Sequence, residues 1–484
     1  MKHASDHVCC GLTRRDLLQT LGTTAAVISL GSDTFAADSS SKPAQNRTKR
    51  KAHIKGAFLY PPTESLRKEG YYSWPGSSFD AEGHQKNYLQ HIKQIEHNLD
   101  MLIEMENKPL DEASEVTRFI NQVKKSPPDG LLLIPFKKGH WPLVTRIIKE
   151  TKIPTVVLAT LGVLLVGHIN QLHHQAGVYL ISAQDDLDAV ARGMKMIRTA
   201  HWMNQARLLN IYGSSQKDSY VQYLGTQMHT IPHQRFLDEY LKLETTQEVK
   251  KLADTYKKNA REIVQPSSDD IIDAAKTYFA LKRLLAAEKA DALMMDCLPG
   301  LKIPHKHPPP CMGFMSLRDE GIVAGCQSDL NATLTMMLVQ QLFDKPGFQQ
   351  NASMNTEKNL YFGAHCTSPS KMKGVNEPAE PYSLMSHAEA GWGCVPRVLY
   401  SPGQKVTLAL YLTGEKPRMH IYSGEVVSCP AIPPTGGCRS NIEMTINEVD
   451  DVCDVKGMHQ TIFYGDYARQ LRTFCQLYNI EVVT

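Results

Sequence analysis

The chain has 484 residues, 42% hydrophobic and 21% charged, a globular composition that excludes disordered, fibrous and membrane-embedded classes. One hydrophobic core rarely serves that length, so two or three globular units are expected. Lysine and arginine number 53 against 50 aspartates and glutamates, a formal net charge of +3 with no basic block in the folded part. Nothing here recommends a nucleic-acid partner, none is expected, and a small polar ligand is the better default.

Thr13-Arg14-Arg15-Asp16-Leu17-Leu18 opens an apolar stretch from Leu17 to Leu30, the pattern of a twin-arginine signal. Thr34 and Ala36 are small residues at the spacing a signal peptidase prefers, so cleavage after Ala36 is expected, with residues 37–50 as a polar linker. Export to the periplasm or the exterior by the twin-arginine machinery follows as an expectation. Beyond this signal, residues 153–167 are apolar but fall short of the roughly 20 residues a bilayer needs, and they contain Pro154 and Gly162. They suit a buried parallel strand over Pro154 to Ala159 better than a membrane insertion.

From Ile54 the pattern alternates: a strand to Phe58, a helix from Tyr88 to Met105, a strand from Gly130 to Phe136 and a helix from Trp141 to Glu150. A second cycle is expected to begin with a strand at Val178 to Ile181. A helix from Asp185 to Thr199, a strand from Arg207 to Tyr212, a helix from Ile271 to Glu288, a strand from Ala292 to Met295 and a helix from Leu330 to Phe343 continue it. After Pro346 short alternating runs such as Val406 to Leu412 and Arg418 to Tyr422 lie between Gly/Pro turns. The expected fold is α/β: two doubly wound Rossmann-like units, 51–170 and 171–345, followed by a mainly β unit, 346–484.

Open α/β sheets bind ligands beyond the carboxyl ends of their strands, which directs attention to the loops after Phe58, Phe136, Tyr212 and Met295. Tyr60, Tyr71, Tyr72, Trp74 and Phe79 crowd the first of these; aromatic rings there either stack on a sugar face or pack the sheet edge. Asp296 and Arg318-Asp319-Glu320 are candidate contacts for hydroxyl groups, with ion pairing as the alternative. His305-Lys306-His307 is a metal loop or a solvated turn, the latter preferred. The signal contains Cys9 and Cys10, and the nine cysteines beyond it cannot all pair. Cys429 and Cys438 flank a turn-rich loop that a disulfide could close in an oxidising compartment.

The stretch from Cys311 to Ala332, a loop and strand feeding a helix, resembles the L-fucose/L-arabinose isomerase family. Asn359 to Pro369, Val406 to Leu412 and Gly457 to Tyr467 resemble its C-terminal domain. The resemblance implies sugar binding, homo-oligomers, and a Mn-like ion for aldose–ketose isomerisation. It implies metal ligands at Gln327, where the family has Glu, at Gln350 or Asn351, where it has Asp, and at His459. His365 and His387 would line the pocket or pack structurally. Amides at the first two positions remove two charges and the acid/base capacity of carboxylates, with Asp329 or Glu320 as substitutes and Asp329 expected to point elsewhere. Activity would then be altered or lost, the alternatives being a non-catalytic carbohydrate-binding or scaffold protein and a two-lobed solute-binding protein, against which the long β unit counts.

Overall fold

The structure, a computed structural model, describes residues 49–68, 78–160, 163–184, 186–302, 307–431 and 437–484. Arg14 and Arg15 of the expected signal, and Tyr71, Tyr72 and Trp74, lie outside them. Among the described residues three large sheets and one two-stranded sheet organise Lys49 to Thr484. The mixed α/β class expected from the sequence is the one observed.

The first sheet has the order β2-β1-β3-β4-β5, formed by β1 (His53–Leu59), β2 (Leu102–Met105), β3 (Gly130–Pro135), β4 (Thr155–Thr160) and β5 (Val178–Ala183). All its pairings are parallel. Helices cover both faces, so β3 can be the continuous apolar run GLLLIP with every residue buried. Two expectations are corrected. The helix placed over Tyr88 to Met105 runs from Ala81 to Leu99 and stops at Asp100 (φ 48°), after which Leu102–Met105 becomes an edge strand. The strand at Val178 closes the first sheet rather than opening the second, because its backbone pairs with β4.

The second sheet has the order β10-β9-β6-β8-β7, from β6 (Arg207–Ile211), β7 (Lys217–Tyr220), β8 (Gln227–Ile231), β9 (Ala292–Met295) and β10 (Ala324–Cys326). Only the edge strand β7 runs antiparallel.

Beyond Pro346 lie β11 (Phe348–Asn355), β12 (Leu360–His365), the small hairpin of β13 (Tyr382–Met385) and β14 (Val395–Val398), then β15 (Lys405–Leu412), β16 (Arg418–Ser428), β17 (Ser440–Met444), β18 (His459–Tyr464) and β19 (Glu481–Val483). The run β15-β18-β11-β12-β17-β16 closes on itself through β15–β16, giving a six-stranded antiparallel barrel; β19 lies parallel to β16. Closure pairs the backbone groups an open sheet would leave at its edges.

The helix Leu330–Phe343 joins β10 to this barrel. Every residue from Ala332 to Val339 is buried, so the helix is packed on several sides, with Thr333 and Thr335 among its buried residues. Its Thr335 hydroxyl accepts the Tyr411 N–H of β15 at 2.8 Å. Gly325 permits the approach to β10, since a Cβ there would stand 1.9 Å from the Thr333 hydroxyl oxygen. One apolar cluster runs from Val249, Tyr256 and Ile271 into Phe348, Tyr361 and Tyr422, so the barrel and the second α/β half share a core.

The Cys429–Cys438 pairing is also corrected. Cys429 is bound to the Tyr400 backbone, accepting its N–H at 3.1 Å, whereas the Cys438 sulfur lies 3.8 Å from that of Cys366. No helix among the described residues is long and apolar enough to cross a membrane.

Candidate functional site

The site forms where the carboxyl end of β10 meets the barrel. After Cys326 the chain adopts the left-handed region at Gln327 (φ 56°) and Ser328 (φ 49°), a conformation costly for two successive residues with side chains. Ser328 secures it, donating its N–H to Met295 O at 3.1 Å and its hydroxyl to Asn210 Oδ1 at 2.9 Å. The reversal delivers Asp329 to the start of the helix Leu330–Phe343, where Oδ1 caps the Ala332 N–H at 2.8 Å.

The other Asp329 oxygen pairs with His459 Nδ1. His459 begins β18 opposite Asn351 of β11 in the antiparallel ladder, and its Nε2 lies 2.6 Å from Asn351 Oδ1. A carboxylate, an imidazole and an amide from three distant segments thus meet at a half-buried point, with side-chain exposures of 21% for Asp329 and 12% for His459. His459 donates Nδ1–H to the carboxylate. The Asn351 amide can face Nε2 through either its oxygen or, turned over, its NH2. Burial alone would raise the Asp329 carboxyl, but the His459 contact and the Ala332 and Asn331 N–H groups outweigh it and hold it below the usual range.

Behind this contact lies a buried polar layer. Gln349 takes the place of a strand partner for β10, accepting the Cys326 N–H at 2.9 Å and donating to its carbonyl at 3.1 Å. Gln350 turns into the barrel and accepts the Tyr361 hydroxyl at 2.8 Å, so of the two neighbouring amides Asn351 faces His459. The His365 ring is centred 6.1 Å from that of His459, is 2% exposed, and neither nitrogen has a partner among the described residues. Burial, followed by the charges of His459, Arg318 and His387, pushes His365 down to about 3. His387, buried in the loop after β13, accepts the Ala390 N–H at 3.2 Å and is pushed down to about 4 by burial and by Arg439.

These two histidines set an acid limit. Each is neutral when folded and gains a proton on unfolding at any pH between its folded value and about 6.5, so stability is full above pH 6.5 and is lost as pH falls. The slope is about 1.4 kcal/mol per pH unit for each histidine. Asp319, raised to about 6 by burial, acts oppositely: its stabilising protonated form is lost as pH rises through 6, which offsets part of the effect between pH 4 and 6. Urea midpoints should therefore fall between pH 7.5 and pH 5.0, and fall less in His387→Gln. An equal fall in that variant would mean that His387 is not the buried neutral group described.

The remaining candidates are scattered. Tyr60 is 1% exposed, donates to Gln85 at 2.7 Å and packs on Phe136 at 5.4 Å, with its hydroxyl pushed up to about 12 by burial and nearby Glu82 and Asp80. It is part of the first sheet's core, not a stacking platform at Asp329. Asp296 follows β9, whose Met295 carbonyl receives Ser328, so it shares the carboxyl edge of the second sheet with the site. Arg318 is buried and donates to Ala324 O at 2.8 Å, Asp319 accepts from Ser370 and Lys371, and Glu320 pairs with Lys282 at 2.9 Å. His307 is buried and hydrogen-bonds His233, Nε2 to Nε2 at 3.2 Å. Gln327 shares the turn with Asp329, and its backbone shapes the site.

Asp329 is a correction: expected to point away, it holds His459. An Asp directly before a long apolar helix signals an N-cap, which places it on a turn rather than one helical step from Gln327. Asn210 and Ser328 carried no such signal.

The donor set does not fit a hard divalent ion. Such ions need several anionic oxygens, whereas the one carboxylate here is held by an imidazole and a helix N-terminus, and the neighbours are amides. Among the described residues no group of three or more His, Cys, Asp or Glu side chains is arranged to hold a metal. Two surface cavities lie elsewhere: one of about 380 Å³ between His84, Tyr88, His91 and Asp186, and one of about 270 Å³ between Lys405, Glu425, Asn447 and Asp466.

No family model matches the chain. It is distantly similar to the sulfoquinovose isomerases of Priestia aryabhattai and of Priestia megaterium (strain ATCC 12872 / QMB1551), each 18% identical over 278 residues. The match spans 56% of this chain and 60% of each relative, under two thirds of their length.

Proposed function

We propose that this chain is a sugar-binding relative of aldose–ketose isomerases, whose ligand hydroxyls are held by Asp329, His459 and Asn351 without a divalent ion. The observation that carries this reading is the meeting of those three side chains at the carboxyl end of β10. Vicinal hydroxyls each donate and accept, and a carboxylate, an imidazole and an amide offer both functions at one partly open point. The similarity to a sugar isomerase supports the ligand class. Export through the twin-arginine route and assembly into a homo-oligomer belong to the same proposal.

A second reading, catalysis, is favoured by one feature: a carboxylate fixing an imidazole is the arrangement of a general base, and isomerisation requires a proton to leave one sugar carbon and return to the next. Calorimetry with L-fucose, L-arabinose and sulfoquinovose, each in EDTA and in Mn, with ketose assayed in the same samples, separates the readings. Sugar heats unchanged by EDTA and no ketose are expected. Ketose formed in EDTA would establish the catalytic reading, and sugar binding that requires Mn would overturn both.

A further inference from the structure

Five cysteines converge near the site from separate elements: Cys297 after β9, Cys311 at the head of the helix Cys311–Asp319, Cys326 in β10, Cys366 after β12 and Cys438 before β17. Cys311, Cys366 and Cys438 pack in one small apolar cluster with Val395. Within it the Cys366 and Cys438 sulfurs are 3.8 Å apart although the residues are 72 positions apart in sequence. The ladder explains the proximity: His365 pairs with Ser440 at the last register of β12 and β17, so the two cysteines flank the point where the antiparallel strands part. Cys429, the other candidate partner for Cys438, is committed to the Tyr400 backbone.

We propose that Cys366 and Cys438 are a modification site, oxidised to a disulfide by exchange with a small-molecule disulfide such as oxidised glutathione. Bonding requires the sulfurs to approach from 3.8 Å to about 2.05 Å, and Gly437 (φ 104°) lets the backbone before Cys438 adjust. Cys438 is half-buried, whereas Cys366 is 7% exposed, so Cys438 meets the oxidant first. The contact with Cys438 and then burial hold the Cys366 thiol well above its ordinary range, which keeps it protonated until that contact changes. The Cys438 thiolate attacks one glutathione sulfur, breaking its S–S bond and releasing a glutathione thiolate that takes up the proton Cys438 lost. Cys366, its proton passing to the second departing glutathione, then attacks the Cys438 sulfur. Two protein thiols are oxidised and one glutathione disulfide is reduced to two thiols. The bond anchors the end of β12, which carries His365, to the entry of β17.

The test uses the folded full-length chain equilibrated with excess oxidised glutathione, alkylated and digested with trypsin without reduction. A cross-link between the peptides 359–371 and 419–439 is expected. Cys429 and Cys438 share the second peptide, so variants assign the bond: the cross-link should survive Cys429→Ser and vanish in Cys438→Ser. Relative to the reduced protein, the oxidised wild type should unfold on the order of a few degrees higher, as expected for closing so long a loop. Absence of the cross-link, its survival in Cys438→Ser, or a bond within 419–439 joining Cys429 to Cys438 would each overturn the proposal.

Discussion

Asp329→Asn is expected to weaken sugar binding by at least about tenfold while leaving the fold in place. Asparagine caps a helix as well as aspartate, so the Ala332 N–H keeps an acceptor and the helix Leu330–Phe343 keeps its start. What disappears is the charge that fixes His459, a charge-assisted hydrogen bond of roughly 1.5–3 kcal/mol. An imidazole released from that bond can rotate away from Asn351, and the ligand loses an ordered acceptor and donor together. Asp329→Ala removes the cap as well, adding about 1 kcal/mol of destabilisation in a helix that serves both the second sheet and the barrel. Calorimetric titration beside thermal melts of both variants separates the two roles. Wild-type affinity in Asp329→Asn would show that the carboxylate serves the helix alone.

The parts of the fold legible in the sequence were those governed by short-range pattern. β3 and β4 read as buried parallel strands because short continuous apolar runs such as Leu131 to Ile134 and Val156 to Ala159 have few other solutions, and β9 and the helix Leu330–Phe343 stood out for similar reasons. Long-range pairing did not leave such traces. Nothing local in Val406 to Leu412 says that β15 lies between β16 and β18, so the β unit was visible and its closure into a barrel was not. The end of the helix at Leu99 was hidden because Asp100 adopts a left-handed conformation that glycine usually announces.

The site follows the same division. His459 and Asn351 were named through resemblance, and the structure brings them together through the β11–β18 register. Asp329 was misjudged although its place before an apolar helix marks an N-cap, because a Gln-Ser pair carries no signal that both residues will turn left-handed and aim that cap at His459. Connectivity among cysteines cannot be deduced from sequence, and Cys366 lies far from the turn-rich loop that made Cys429 the obvious partner.

Gln327→Glu combined with Asn351→Asp is expected to create Mn binding in the micromolar range, a binding free energy of about 8 kcal/mol at the 1 M standard state. The argument is one of charge. With Asp329 and His459 already adjacent, two further carboxylates would supply three anionic oxygen groups and one imidazole, the donor set a Mn-like ion prefers. Asn351→Asp also changes the partner of His459 Nε2, and a bound cation can displace that contact, whereas an unmetallated double variant carries excess negative charge and should melt below the wild type. Mn should restore the melting temperature, and adding His459→Ala should abolish the uptake measured by calorimetry. Failure of the double variant to bind would show that the Gln327 side chain does not face His459, leaving Asp329, His459 and Asn351 as a site whose shape was set for hydrogen bonding rather than for a metal.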